Sequence, residues 1–398
     1  MRKILISGGG LENKGAQAML FICVDELSKK FPEHEIIAIS DSDCEYYEKH
    51  ENIYRFRFIR QPDYKYALYK LGGIYGVLMK LKGIKKEQFK QIDELMKDVD
   101  LSVDISGYAL SSSWDYKCNM LFLSNFVFSK AYGFNSYVMP QSFGPFDYKG
   151  TKGKIIEYFI KHFLQIPKTI YAREKTGYYW LKNKYKINNI QQSCDMVLKN
   201  KMIESDQIYK VKDRKIDFMK IAHQSVGIVP NIQNFRYISE SQALEIYKAI
   251  IEKLLLYNKS VYILRHSNED CTLCKKIKAL FSENSKVITV VDDYDCFQLN
   301  SIIKQFDYMI ASRYHSIVHA YKNSVPCLTI GWSNKYHDLL SLVDQDKYMV
   351  DIRNQIDTNL VIEKLSELND AYLDERKALS KKVKTLQSKS LFSNIRTD

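Results

Sequence analysis

No apolar run in this 398-residue chain reaches the ~18 residues needed to cross a bilayer. The start, MRKILISGGG, has the basic opening of a secretory leader but only three apolar residues before the glycines, so it reads as a first strand. The chain is therefore expected to stay in the cytoplasm. Its eight cysteines (23, 44, 118, 194, 271, 274, 296 and 327) show no repeated spacing, as suits buried or free thiols in that compartment. Cys271-x-x-Cys274 is a metal half-site without a second pair at zinc-ribbon spacing. His315-x-x-x-His319 lacks both an evident third ligand and the glutamate of H-E-x-x-H. No resident metal or cofactor is expected. Also missing are G-x-G-x-x-G, a P-loop Lys-Ser/Thr, nucleic-acid recognition motifs and any repeat of solenoid period.

Acidic residues are in deficit, with 47 Asp and Glu against 59 Lys and Arg, a formal charge of +12. Tyrosine is abundant at 29. A hydrophobic fraction of 45% and a charged fraction of 27% describe a globular chain whose partner is anionic: an acidic small molecule, a membrane face or nucleic acid. The excess concentrates in residues 55–90, which hold ten Lys or Arg against Asp63 and Glu87. Tyrosines and aliphatics are interleaved among them. Such a segment suits an anionic membrane surface, or an insertion packed on its own domain, ahead of nucleic acid.

Apolar runs alternate with helical spacing throughout. Strands are predicted at Lys3–Ser7, Glu35–Ser40, Val99–Ser106, Ser136–Met139, Thr169–Ala172 and Ile190–Cys194. A second series follows at Val226–Val229, Ser260–Leu264, Val287–Val290, Tyr308–Ile310 and Pro326–Ile330. The chain exceeds what one core usually serves. The alternation predicts an α/β protein with two parallel-sheet, Rossmann-like domains facing across a cleft. Residues 1–200 form the first domain, with 55–90 as its insertion, and 201–218 link it to a second domain at 219–373. A charged helix at 374–398 packs back on the first.

Chemistry gathers at strand ends, where open α/β sheets bind ligands. Ser312-Arg313-Tyr314-His315 follows one strand and Lys335 the next. Two fixed cations with one group that titrates near neutrality suit an anion that must also exchange a proton. In the other half, Gly8 and Gly9 form a turn before a helix whose start, Asn13-Lys14-Gly15, offers anion contacts. Asn13 is equally a helix cap. Gln141 sits at a strand end in a stiff Pro140-to-Pro145 turn, Arg173-Glu174 ends another strand, and Asp195 tips the last.

Taken in order, Gly8–Gly10 with Asn13-Lys14-Gly15, Gln141-Ser142-Phe143-Gly144-Pro145, Arg173-Glu174, Asp195, Ser312–His315 and Pro326 followed by Lys335 resemble the polysaccharide pyruvyl transferase family over nearly the whole chain. Where many members read Asn-x-Gly-Asp, this chain has Ala16, so no catalytic role is carried onto that position. The resemblance implies a GT-B-like fold and transfer of pyruvate from phosphoenolpyruvate to two hydroxyls of a sugar, giving a cyclic ketal and phosphate. Arg173, Arg313 and Lys335 are then expected to recognise the donor's carboxylate and phosphate, with His315 as general acid. Asn13, Lys14, Gln141, Asp195, Gly8 and Gly9 are the expected substrate contacts. A surface-polysaccharide enzyme of this kind commonly takes a lipid-diphosphate-linked acceptor, which the 55–90 segment fits. Two alternatives remain: a GT-B nucleotide-sugar glycosyltransferase, and a capsule-assembly binding protein without activity.

Overall fold

A computed structural model describes residues 1–201, 203–211, 218–353 and 356–397, without the side chains of residues 86 and 88. Of the expected connection at 201–218, residues 202 and 212–217 lie outside that set.

Seven strands form the first sheet: β1 (Lys3–Ser7), β2 (Glu35–Ile39), β3 (Arg57–Ile59), β4 (Val99–Asp104), β5 (Asn135–Gln141), β6 (Thr169–Ala172) and β7 (Ile190–Gln192). All pair in parallel, in the order β3-β2-β1-β4-β5-β6-β7. The second sheet contains β8 (Ser225–Val229), β9 (Ser260–Leu264), β10 (Val287–Val290), β11 (Tyr308–Ala311), β12 (Cys327–Gly331) and β13 (Met349–Asp351). It is also parallel, in the order β10-β9-β8-β11-β12-β13. Helices cover both faces of such sheets, which is why the strands read as unbroken apolar runs: every residue of β8, β11 and β12 is buried. Each sheet reverses its order once, between β1 and β4 and between β8 and β11. Those switch points leave a crevice beyond the strands' carboxyl ends.

The helix Lys14–Lys30 joins the halves. Asn13 caps it, accepting from the Gly15 and Ala16 amides at 2.9 and 3.3 Å. Phe21 on this helix stacks on Phe297 of the second domain with ring centroids 5.7 Å apart, a contact worth ~0.5–1.5 kcal/mol beyond its buried area. Nearby, Gln17 Oε1 accepts the Cys296 amide at 2.7 Å. The C-terminal helix begins at Thr358 rather than near 374 and runs without a break to Leu386. It packs on the second domain and delivers the tail to the first, where Gln387 donates to the Leu198 carbonyl and Lys30 to that of Phe392. Residues 55–90 supply β3 and two helices, Tyr64–Leu71 and Gly73–Leu81.

Candidate active site

The crevice between the two carboxyl edges has a volume of about 860 Å³. The first domain contributes the turn after β5 (Ser142–Pro145), Glu174 after β6, and Tyr108, Trp114 and Trp180. The second contributes Arg313, Tyr314 and His315 after β11, Trp332 to Tyr336 after β12, and Arg236, His266 and Asp338.

Across the floor runs a charged seam. Arg173 donates through Nη1 to Asp195 Oδ2 at 2.9 Å, through Nε to Glu174 Oε1 at 3.0 Å, and through Nη2 to Ser142 Oγ at 2.6 Å. Its guanidinium lies 4.3 Å from the centre of the Tyr314 ring in the opposite domain. Burial opposes this charge, but the adjoining groups more than offset it and raise the pKa above the ordinary arginine value. Asp195 also accepts the Val197 amide at 2.8 Å. Burial pushes its carboxyl up, yet His315, Arg173 and that amide hold it below the usual range.

His315 is the second domain's answer to this seam. Its Nε2 stands 3.7 Å from Asp195 Oδ2, too far for a hydrogen bond, and has no hydrogen-bond partner. Burial lowers its pKa to about 4; Asp195 pulls upward while Arg173 and Lys335 push further down. The free site therefore holds a neutral imidazole at pH 7, where an unperturbed histidine would be partly charged. Gly15 is what admits the ring. A Cβ on Gly15 would stand 2.2 Å from His315 Cγ and 2.3 Å from Nδ1. Changing Gly15→Ala is expected to cost ~1–3 kcal/mol by overpacking this domain contact, read by urea unfolding. An unchanged midpoint would show that the two domains part freely here.

The three predicted cations meet the crevice differently. Arg313 lines it but is already paired: Nε donates to Asp270 at 2.8 Å, and Nη2 to Asp270 at 2.6 Å and Glu269 at 2.5 Å. Arg173 is tied into the seam and lies outside the lining. A buried guanidinium without a carboxylate is too costly, so each came with its own counter-charge. Lys335 did not. Its Nζ lies 5.5 Å from the Tyr314 ring centre and 5.6 Å from those of Trp332 and Tyr336, and it makes no ion pair among the described residues. Burial, then Arg173, lowers its pKa to about 8.

Of the expected substrate contacts, Asn13 lines the crevice while its side chain caps the helix. Lys14 turns to the second domain and pairs with Asp293 at 2.9 Å. Gln141 is fully buried and donates to Asp104 at 3.2 Å. Gly8 adopts φ +79° against Ser106, and Gly9 packs on Ile105 and Leu20. None of Lys14, Gln141, Gly8, Gly9 or Asp195 is part of the lining.

Several lining residues escaped sequence reasoning. Arg236, exposed at the end of the 3-10 turn Ile232–Arg236, is a second cation without an ion pair among the described residues. Its position in the loop after β8, at the switch point, was the available signal. Asp338 faces the same opening as Glu174, and burial followed by that neighbouring carboxylate raises its pKa. The aromatic walls at Trp114, Trp180 and Trp332 carry no motif. Among the described residues, no three His, Cys, Asp or Glu side chains are grouped to hold a metal ion.

A family model described as polysaccharide pyruvyl transferase matches residues 13–334. No curated protein matches the chain by sequence. Among solved structures, the UDP-GlcNAc 2-epimerase of Methanocaldococcus jannaschii superposes with a TM-score of 0.55 at 13% identity, covering 92% of each chain. A mutant of S. aureus TarM, in complex with Fondaparinux, alpha-GlcNAc-glycerol and UDP, gives 0.53 at 9% identity over 100% of this chain and 97% of that one. A glycosyltransferase from Rickettsia africae gives 0.53 at 12% identity over 97% and 94%. These likenesses establish a GT-B-like fold of two Rossmann-like domains, and nothing about substrate. The family match covers most of the chain, which belongs to the polysaccharide pyruvyl transferase family and is a transferase acting on a sugar acceptor.

Proposed function

We propose that this polysaccharide pyruvyl transferase takes phosphoenolpyruvate as donor and bridges two hydroxyls of one sugar through C2 of its pyruvyl group. The observation that carries the reading is Lys335: a half-buried ammonium that makes no ion pair among the described residues, in the crevice beside His315. A donor bearing both a carboxylate and a phosphate supplies the missing negative charge. Arg236 and the Nη1 edge of Arg313, whose bonds all leave from Nε and Nη2, extend the cationic surface.

In the reaction a sugar hydroxyl adds to C2 of the donor while C3 takes a proton, converting the methylene to a methyl group. The C2–O bond to phosphate then breaks, and a second hydroxyl of the same sugar adds to C2. Of the two hydroxyl protons, one balances that delivered to C3 and one leaves with phosphate. His315 delivers the proton to C3. Its neutral state in the free site is no obstacle, because a bound polyanion raises the imidazole's pKa and Asp195, 3.7 Å away, steadies the cation formed. Arg173 acts in this reading as a positioning residue, holding Asp195 and Glu174 in place, rather than as a donor contact. Glu174 and Asp338 are the carboxylates available to receive hydroxyl protons, and Trp114 and Trp180 offer faces for the acceptor sugar. That acceptor is a surface-polysaccharide precursor on a lipid diphosphate.

Donor affinity should depend on pH through Lys335. With the free ammonium titrating near 8 and the bound one held charged by the donor, the contribution of Lys335 to affinity is full below pH 8 and is lost as pH rises through it. Calorimetric titration of phosphoenolpyruvate should give a Kd ~10–100-fold weaker for Lys335→Met, as expected for a charge-assisted contact worth ~1.5–3 kcal/mol. The decline above pH 8 should vanish in that variant. Binding of UDP or CMP with no binding of phosphoenolpyruvate would overturn the reading in favour of a nucleotide-sugar transferase.

A further inference from the structure

Outside the crevice, the helix Gly73–Leu81 presents an unusual face. Gly76 and Met79 are buried and Tyr75 packs inward, its ring 5.8 Å from that of Phe159 and its hydroxyl 3.1 Å from that of Tyr158. The opposite stripe is solvent-facing and apolar: Ile74 is 70% exposed, Val77 58%, Leu78 45% and Leu81 79%. Their i, i+3, i+4, i+7 spacing makes one continuous ridge. The neighbouring helix Gly150–Phe163 extends it with exposed Ile155 and Tyr158. Around the ridge stand exposed Lys80, Lys82, Lys152, Lys154 and Lys161, none of them ion-paired among the described residues. The one carboxylate on these two helices, Glu157, is engaged by Lys184 at 2.8 Å.

Exposed apolar residues clustered this way mark an interaction surface. From the structure we infer that this two-helix face docks on an anionic phospholipid surface, the aliphatic ridge entering the headgroup boundary and the lysines meeting lipid phosphates. The charge pattern selects the occupant. A symmetric dimer through this face would set its lysines against their own copies, whereas an anionic lipid surface attracts each nearby lysine. The face also stands close to the crevice: Lys184, which holds Glu157, lies 5.8 Å from the centre of the Trp180 ring, and Trp180 lines the mouth. A docked enzyme would thus hold its crevice at the lipid boundary. The inference rests on the surface alone and stands whatever donor the crevice takes.

Flotation of the full chain with vesicles tests it. At low ionic strength the protein should float with phosphatidylcholine vesicles containing about 30% phosphatidylglycerol and remain behind with phosphatidylcholine alone. Ile74→Ser combined with Leu81→Ser should weaken flotation about tenfold or more, as should Lys80→Glu combined with Lys154→Glu. All four positions are exposed, so melting temperature and circular dichroism should be unchanged. Wild-type protein left behind by both vesicle types would overturn the inference, as would variants that float like wild type. A dimer in sedimentation velocity, converted to monomer by Ile74→Ser with Leu81→Ser, would assign the face to a second copy instead.

Discussion

Arg173→Ala is expected to lower the stability of the folded chain by ~3–5 kcal/mol, the largest loss foreseen for a single substitution here. The guanidinium holds two buried carboxylates at once, Asp195 at 2.9 Å and Glu174 at 3.0 Å, and rests on Tyr314 across the domain boundary. Removing it leaves two desolvated negative charges, for which one opposite amide and a hydroxyl are poor compensation. Asp195 keeps the Val197 N–H, and Glu174 keeps Ser142 Oγ. Arg173→Lys retains a charge but not a planar fork able to reach three acceptors, so it should recover only part of the loss. Urea unfolding followed by circular dichroism reads both variants. A loss under ~1 kcal/mol for Arg173→Ala would mean that the pair behaves as a solvated surface contact and not as a buried seam at the domain boundary.

Most of the framework was legible because parallel strands buried on both faces announce themselves as apolar runs, and eleven of the expected strands lie where the sequence placed them. The two it missed, β3 and β13, are three residues long and edge their sheets. Within the site, strand-end placement of Arg173, Arg313, His315 and Lys335 was also readable. Their counter-charges were not. Asp270 is 43 positions from Arg313 and Asp195 is 22 from Arg173, so no local pattern says which guanidinium arrives already neutralised. The same blindness covers Lys14, whose partner Asp293 belongs to the other domain. Gly15 is instructive in another way: it sits in a helix, where glycine ordinarily costs stability, and only the ring of His315, three hundred positions away, accounts for it. Arg236 and Asp338 lie in segments with no distinctive composition, and only tertiary placement brings them to the opening.

His315→Gln is expected to reduce kcat by ~10²–10⁴-fold while leaving stability and donor affinity close to those of the parent, the signature of a lost general acid. Stability should hold because the imidazole contributes no hydrogen bond through Nε2 to the free fold. Donor affinity should hold because charge recognition rests on Lys335 and its arginine neighbours. Proton uptake on binding distinguishes this role from a merely structural one. At pH 7 the wild-type imidazole is neutral, with its pKa near 4, and must gain a proton as the polyanion arrives. Lys335, titrating near 8, is already mostly charged at that pH and takes up little. Calorimetry of phosphoenolpyruvate binding in buffers of different ionisation enthalpy should therefore show greater proton uptake by wild type than by His315→Gln. That difference isolates the imidazole from any titration of the donor's own phosphate. Equal uptake, or a kcat within tenfold of the parent, would move the proton donor to another group in the crevice, and Asp338, whose carboxyl burial raises above its ordinary pKa, would be the next to replace.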